Sequence, residues 1–167
     1  MTVHRVPIAT CRGTFVACFS ERGLVRLNWP TDKPVPKRTL TTGHGVGLAK
    51  VRRWRQLTDQ ALRRALAGRA PSRLPPLDLS AGTAFQRRVW RLLRRIPLGQ
   101  TWSYAQVAAA LGAPAAARAV GQACGANPIP VLVPCHRVRR SDGSLGGFSG
   151  GLAWKRWLLA QEARAGR

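Results

Sequence analysis

The chain has 167 residues, 45% of them hydrophobic, with 28 Lys and Arg against 6 Asp and Glu, a formal net charge of +22. That size and apolar content suit one or two small domains with a real core and exclude a disordered polyelectrolyte. No apolar run approaches the roughly 18 residues that a membrane span needs, and the N-terminus lacks the apolar centre of a signal peptide, so a soluble cytoplasmic protein with no membrane partner is expected.

Residues 2–10, 14–19 and 23–29 alternate apolar or β-branched positions with polar ones around the turn-forming pairs Arg12-Gly13 and Arg22-Gly23, which predicts a short antiparallel meander. Residues 30–49, with Pro30, Pro34, Pro36 and Gly43-His44-Gly45, read as a loop. From Val51 to Ala67, apolar Val51, Trp54, Leu57, Ala61, Leu62 and Ala65 recur at helical spacing, and Gly68 stops the helix. The Pro-rich stretch Pro71 to Pro76 then sets a domain boundary near residue 80, dividing the chain into 1–80 and 81–167.

Val89, Leu92, Leu93 and Ile96 form one stripe of a helix ended by Pro97 and Gly99, with Arg87, Arg88, Arg91, Arg94 and Arg95 on its other face. Ser103 and Gln106 make a capping box, which predicts a helix from Tyr104 to Leu111 ended by Gly112. Pro114 starts a further helix, Ala115 to Cys124, across a tight turn, and the pair has the outline of a helix-turn-helix. Ordinary packed helix pairs share that outline. The second helix is unusual in its small residues, Ala117, Ala119 and Gly121 among them, with Arg118 as its only charge. Small residues let a backbone approach a narrow groove, although codon bias toward alanine would produce the same run. Val131-Leu132-Val133 reads as a short buried strand, and Pro134 at its end puts Cys135 outside regular structure. The fold class is α/β: a small β-rich N-terminal domain with one helix, followed by a mostly helical C-terminal domain with a helix-turn-helix.

Both halves carry the charge, 15 basic against 4 acidic residues up to residue 80 and 13 against 2 beyond it, so no basic tail accounts for it. Codon bias explains 24 Arg against 4 Lys but not the scarcity of acids, and nucleic acid is the expected partner. The four cysteines, Cys11, Cys18, Cys124 and Cys135, match neither a zinc ligand set nor a disulfide scaffold, which predicts reduced thiols and no metal. A lone cysteine is usually buried and inert, but Cys135 has His136 and Arg137 beside it, an electropositive setting of the kind that lowers a thiol pKa. Neighbouring side chains diverge in an extended segment, so a bridging water rather than direct contact would pass the Cys135 proton to His136. Glu162 shares a helix face with Leu158 and lies at a helix end where the dipole disfavours it. A carboxylate there asks for a cationic or N–H partner, and His136 is one candidate among many arginines.

The run Asn127-Pro128-Ile129-Pro130-Val131-Leu132-Val133-Pro134-Cys135-His136-Arg137-Val138 resembles the active-site signature of the O6-alkylguanine-DNA alkyltransferases, the methylated-DNA–protein-cysteine methyltransferases. The similarity extends through Gly82-Thr83, Phe85-Gln86, Val89-Trp90, Ile96-Pro97, Ser103-Tyr104, Ala117 to Gly121, Gly146 to Leu152 and Leu158-Leu159 to Glu162, nearly all of residues 80–162. The resemblance implies DNA repair without a cofactor, by a monomer that transfers the alkyl group of O6-alkylguanine in double-stranded DNA to its own Cys135, once. It implies that His136 takes the thiol proton through water, that Glu162 orients the imidazolium, and that Tyr104 donates a hydrogen bond to the departing guanine. It also implies minor-groove docking, with Arg118 filling the space of an everted nucleotide and Ala117, Ala119 and Gly121 against the DNA. Asn127 would tie the turn before the active-site segment, and Pro130, Val138, Phe148 and Ser149 would join it around the guanine pocket.

Two departures stand out: Phe148 occupies a position where many members have Tyr, and Arg139-Arg140 is unusually basic. The N-terminal segment resembles the family only in its β-rich layout and shows no metal-ligand pattern. Two other readings compete. A Cys-dependent hydrolase needs an imidazole directly on the sulfur, and only His4 and His44, without motif context, remain to supply it. A helix-turn-helix protein that binds alkylated DNA without repairing it would have no use for Cys135.

Overall fold

Two-residue turns after Thr10 and Ser20 fold the N-terminal alternation into an antiparallel sheet of β1 (His4–Thr10), β2 (Gly13–Ser20) and β3 (Gly23–Asn28), in that spatial order. The structure is a computed structural model in which residues 3–31 and 47–165 are described. Phe15, Ala17 and Phe19 of the central strand are fully buried on one face of the sheet. Helix α1 (Leu48–Leu66) buries Val51, Trp54, Ala61 and Leu62 of the stripe expected from helical spacing and adds Leu66, while Leu57 and Ala65 are only half-buried. It starts three residues before Val51, with a first turn, Leu48 to Lys50, that is exposed and takes no part in the buried stripe. Of the expected loop at 30–49, Pro30 and Thr31 have no regular structure, and residues 32–46, including Gly43-His44-Gly45, lie outside the described residues.

After the prolines the chain returns to the sheet. Leu24 N donates to Pro76 O at 2.8 Å and Asp78 N to Leu24 O at 2.8 Å, while Ser20 Oγ donates to Asp78 at 2.6 Å. The segment around the expected boundary is thus pinned along β3. The buried apolar cluster runs on without a break from Phe19 and Leu24 through Leu79 to Val89, Trp90 and Leu93.

Helix α2 (Ala84–Leu93) opens with a Thr83–Gln86 capping box and ends at Leu93. Ile96 is buried just beyond it, at the approach to Pro97. Strand β4 (Trp102–Ser103) leads into α3 (Tyr104–Ala110), capped reciprocally by Ser103 and Gln106 as the sequence predicts. A 3-10 turn, Pro114–Ala116, precedes α4 (Ala117–Gly125), which packs on α2 and α3. Strand β5 (Val138–Arg139) runs parallel to β4, pairing Trp102 with Val138, and so ties the start of α3 to the Cys-His-Arg segment. Helix α5 (Leu152–Ala165) closes the chain. Among the described residues no helix is long and apolar enough to cross a membrane.

Val131-Leu132-Val133 is not a strand. Val131 adopts φ 72°, rare for a β-branched residue, inside a turn closed by Val133 N donating to Ile129 O at 2.9 Å. Asn127 holds this turn, its Nδ2 donating to Val133 O at 2.8 Å and its Oδ1 accepting from Ile129 N at 3.0 Å. The apolar run reports burial, which a tight turn satisfies as well as a strand, and Pro130 and Pro134 have no N–H to offer a ladder. Nor does Cys135 fall outside regular structure: it begins a 3-10 turn, Cys135–Arg137, directly after Pro134.

Candidate active site

The Asn127 turn and the 3-10 turn together fix Cys135, whose side chain is almost wholly enclosed at 3% exposure. The second hydrogen of the Asn127 amide, besides the one on Val133 O, is given to Cys135 Sγ at 3.0 Å. One side chain therefore shapes the backbone before the thiol and touches the sulfur itself.

His136 follows, equally buried, with Nε2 2.7 Å from Glu162 Oε1. An ionised carboxylate only accepts, so Nε2 carries the hydrogen and Nδ1 is left as a bare acceptor. Nδ1 is buried with no hydrogen-bond partner among the described residues. Glu162 is the point on which four donors converge. Besides His136 it accepts from Arg137 Nε at 3.1 Å and Nη2 at 2.9 Å, and from Gly99 N at 3.1 Å. These partners answer the puzzle of an acid near the C-terminal end of a helix.

Arg137 therefore does not serve Cys135, contrary to what their adjacency suggests. Its guanidinium is committed to Glu162 and, through Nη1, to Ile96 O at 2.7 Å, because a carboxylate competes for a bidentate cation far better than a thiol does. The cation that does act on the thiol is Lys155, which sequence reasoning passes over. Lys155 is fully buried on α5, and its Nζ donates to Val138 O at 2.6 Å and to Leu145 O. The signal for it was present: Lys155, Leu158 and Glu162 share one helix face at i, i+3 and i+7, and all three are buried.

Burial dominates the protonation of the group. It pushes the Cys135 thiol up to about 11, against the Asn127 hydrogen bond and the Lys155 charge, which pull it down. It pushes His136 below the usual imidazole range more strongly than Glu162 lifts it. Burial also raises the Glu162 carboxyl, but the hydrogen bonds from His136 and Arg137 outweigh it and hold the group at about 2. At neutral pH the resting site is thus a thiol, a neutral imidazole with a free lone pair, and a carboxylate. Cys124, driven by burial to about 12, is a second thiol in the same region, and Tyr104 is raised by its own burial.

A cavity of about 780 Å³ is lined by Tyr104, Ala117, Arg118, Gly121, Phe148 and Ser149 of the expected site, together with Arg140. It meets a recess of about 250 Å³ at Gly125 and Ser149, and Asn127, Pro130 and Trp29 line that recess. Gly146 lets the loop before α5 cross Tyr104, since a Cβ there would lie 2.8 Å from the phenolic oxygen. Five expected residues line neither space: Ala119 on α4, the buried Cys135, His136 and Glu162, and Val138, which is fully buried with its carbonyl held by Lys155.

Residues 84–164 match the family described as 6-O-methylguanine DNA methyltransferase, DNA binding domain. The methylated-DNA–protein-cysteine methyltransferase of Salmonella typhimurium is 58% identical over 83 residues, 50% of this chain and 48% of that protein. The matched segment thus spans about half the length of this curated relative. Structural similarity reaches further. The crystal structure of Mycobacterium tuberculosis O6-methylguanine methyltransferase aligns with a TM-score of 0.74 at 36% identity, covering 98% of this chain and 94% of that one. A crystal structure of Mycobacterium tuberculosis OGT in complex with DNA gives a TM-score of 0.75 at 38% identity, covering 96% and 93%. The likeness includes the N-terminal sheet, where the sequence offered only a similar layout.

Proposed function

Because this chain belongs to the family of methylated-DNA–protein-cysteine methyltransferases, we propose that it repairs duplex DNA by moving the alkyl group of O6-alkylguanine onto Cys135. The observation that carries this reading is the buried Cys135, held by Asn127 at 3.0 Å, next to a His136–Glu162 pair at 2.7 Å whose imidazole has one free acceptor nitrogen.

The damaged nucleotide turns out of the stack into the cavity of about 780 Å³, because an alkyl group inside the duplex is beyond the reach of a thiolate. The exposed Arg118 of α4 enters the gap it leaves, and the small Ala117 and Gly121 allow the helix to come close. The thiol proton passes through a water to His136 Nδ1, and Sγ attacks the alkyl carbon. The S–C bond forms as the C–O6 bond breaks, and the electron pair departs with the guanine. The Tyr104 hydroxyl donates a hydrogen bond to that leaving group, which makes it easier to expel. Glu162, ionised far below neutral pH, stabilises the imidazolium.

A thiol held up to about 11 is protected from casual electrophiles and ionises only as the proton is taken. The product is a thioether, which has no leaving group, so each molecule reacts once. Duplex DNA carrying a radiolabelled O6-methyl group tests the reaction. The label stays with the denatured protein if the proposal holds, is released to solution by a hydrolase, and remains on the DNA for a mere binder.

A further inference from the structure

We propose that Trp29, at the exit of the N-terminal sheet, is a positioning residue for the wall of the guanine pocket, so that the N-terminal region takes part in the transfer reaction through one indole. This role rests on the function just proposed.

Trp29 touches three consecutive residues of the segment between β5 and α5. Its ring meets Phe148 edge-on, with centroids 5.4 Å apart and planes at 66°. Its Nε1 donates to Ser149 Oγ at 3.3 Å. At Gly150 the indole occupies the very space of a side chain, since a Cβ there would come within 2.6 Å of the ring. Phe148 and Ser149 both line the cavity of about 780 Å³. Trp29 also lines the adjoining recess beside Asn127, whose amide contacts the Cys135 sulfur.

That segment needs holding. It carries Gly146, Gly147, Gly150 and Gly151 and has no helix or strand of its own, so fixing it costs more backbone entropy than fixing ordinary residues. Lys155 secures its start at Leu145 O, and Tyr104 packs against Gly146. The far half, from Phe148 to Gly150, is held by Trp29. The indole is itself anchored, with Phe15 of β2 at 5.7 Å and Trp154 of α5 at 4.9 Å. Fully buried Phe15 ties it to the sheet core, and Trp154 ties it to the helix that carries Lys155 and Glu162. The ordering of the pocket wall is therefore completed on folding rather than on substrate binding, and the group that completes it comes from the other end of the chain.

The test uses the full chain and free O6-benzylguanine, following the rate of benzyl transfer to Cys135 against substrate concentration. Trp29→Phe keeps a ring against Phe148 but loses the donor to Ser149. It is expected to raise the half-saturating concentration roughly fivefold, the scale of one neutral hydrogen bond, while the limiting rate stays near wild type. Ser149→Ala removes the same bond from the other side. The double variant is then expected to be no worse than either single one, a pattern that general destabilisation would not produce. A half-saturating concentration unchanged in Trp29→Phe, or effects that add in the double variant, would overturn the positioning role alone. A wild-type chain that takes no benzyl group would overturn the proposed function and this role with it.

Discussion

Glu162 Oε1 lies 2.7 Å from His136 Nε2, and both side chains are sealed from solvent, at 3% and 2% exposure. The pair fixes the tautomer of an imidazole that burial keeps neutral, and the free Nδ1 follows from it rather than from any contact with the sulfur. A carboxylate 26 residues downstream thus decides which nitrogen of His136 is available to a proton.

Glu162→Gln is expected to slow transfer by roughly tenfold or more without abolishing it, since the imidazolium loses its counter-charge but the pocket remains. The same carboxyl leaves a stability signature. Its folded pKa, about 2, lies below the ordinary value of 4.5, so it contributes stability above 4.5 that is lost as pH falls toward 2. Urea midpoints of wild type should therefore fall more steeply across that window than those of Glu162→Gln. Parallel pH profiles would contradict the ion-pair assignment.

The four cysteines should separate by electrophile. Cys11 is exposed, whereas Cys135 is buried and held up to about 11. Iodoacetamide at neutral pH is expected to label Cys11 well before Cys135, and O6-alkylguanine in DNA to label Cys135 alone. Peptide mapping after each treatment checks this, and equal reactivity of the two thiols toward iodoacetamide would contradict it. Cys135→Ser should lose transfer yet bind duplex DNA with near wild-type affinity, since a serine hydroxyl is not appreciably ionised near neutral pH.

Lys155→Met keeps the buried stem but strands Val138 O and Leu145 O without their donor. Each unsatisfied carbonyl costs about 1–3 kcal/mol, so chemical denaturation should show a loss of at least that size. The change also removes the positive charge that pulls the Cys135 thiol down, and the alkaline limb of the transfer pH profile is expected to move upward. A variant as stable as wild type with an unmoved profile would show that Lys155 is not the cation of this site.

Arg118→Ala should slow repair in duplex DNA far more than reaction with free O6-benzylguanine, because only the duplex requires eversion. Losing about 1.4 kcal/mol of compensation for unstacking slows the duplex reaction roughly tenfold. Equal slowing of both substrates would assign Arg118 to the pocket or the fold.

What the sequence reveals here follows the range of the interactions involved. The Ser103–Gln106 capping box is complete within four residues, and the α1 stripe repeats within nineteen, so both can be read directly. The turn at Val131 depends on the Asn127 side chain and on two flanking prolines, none of which alters an apolar run that reads equally well as a strand. Adjacency misleads for Arg137, whose long side chain leaves its neighbour Cys135 for Glu162 and for Ile96 O, 25 and 41 residues away. Lys155 was legible from its place on the Leu158–Glu162 face, but a single lysine among tryptophans reads as a solvated charge until its burial is known. Trp29 and Ser149 are 120 residues apart, and nothing local to either marks the contact.

The most direct test is the intact mass of the protein after incubation with excess duplex DNA containing one O6-methylguanine. The account predicts a single methyl adduct per molecule, located on the peptide that carries Cys135, with no further DNA repaired once every molecule is modified. Sustained turnover, an adduct on Cys11, Cys18 or Cys124 instead, or a protein left unmodified while the DNA is repaired would contradict it.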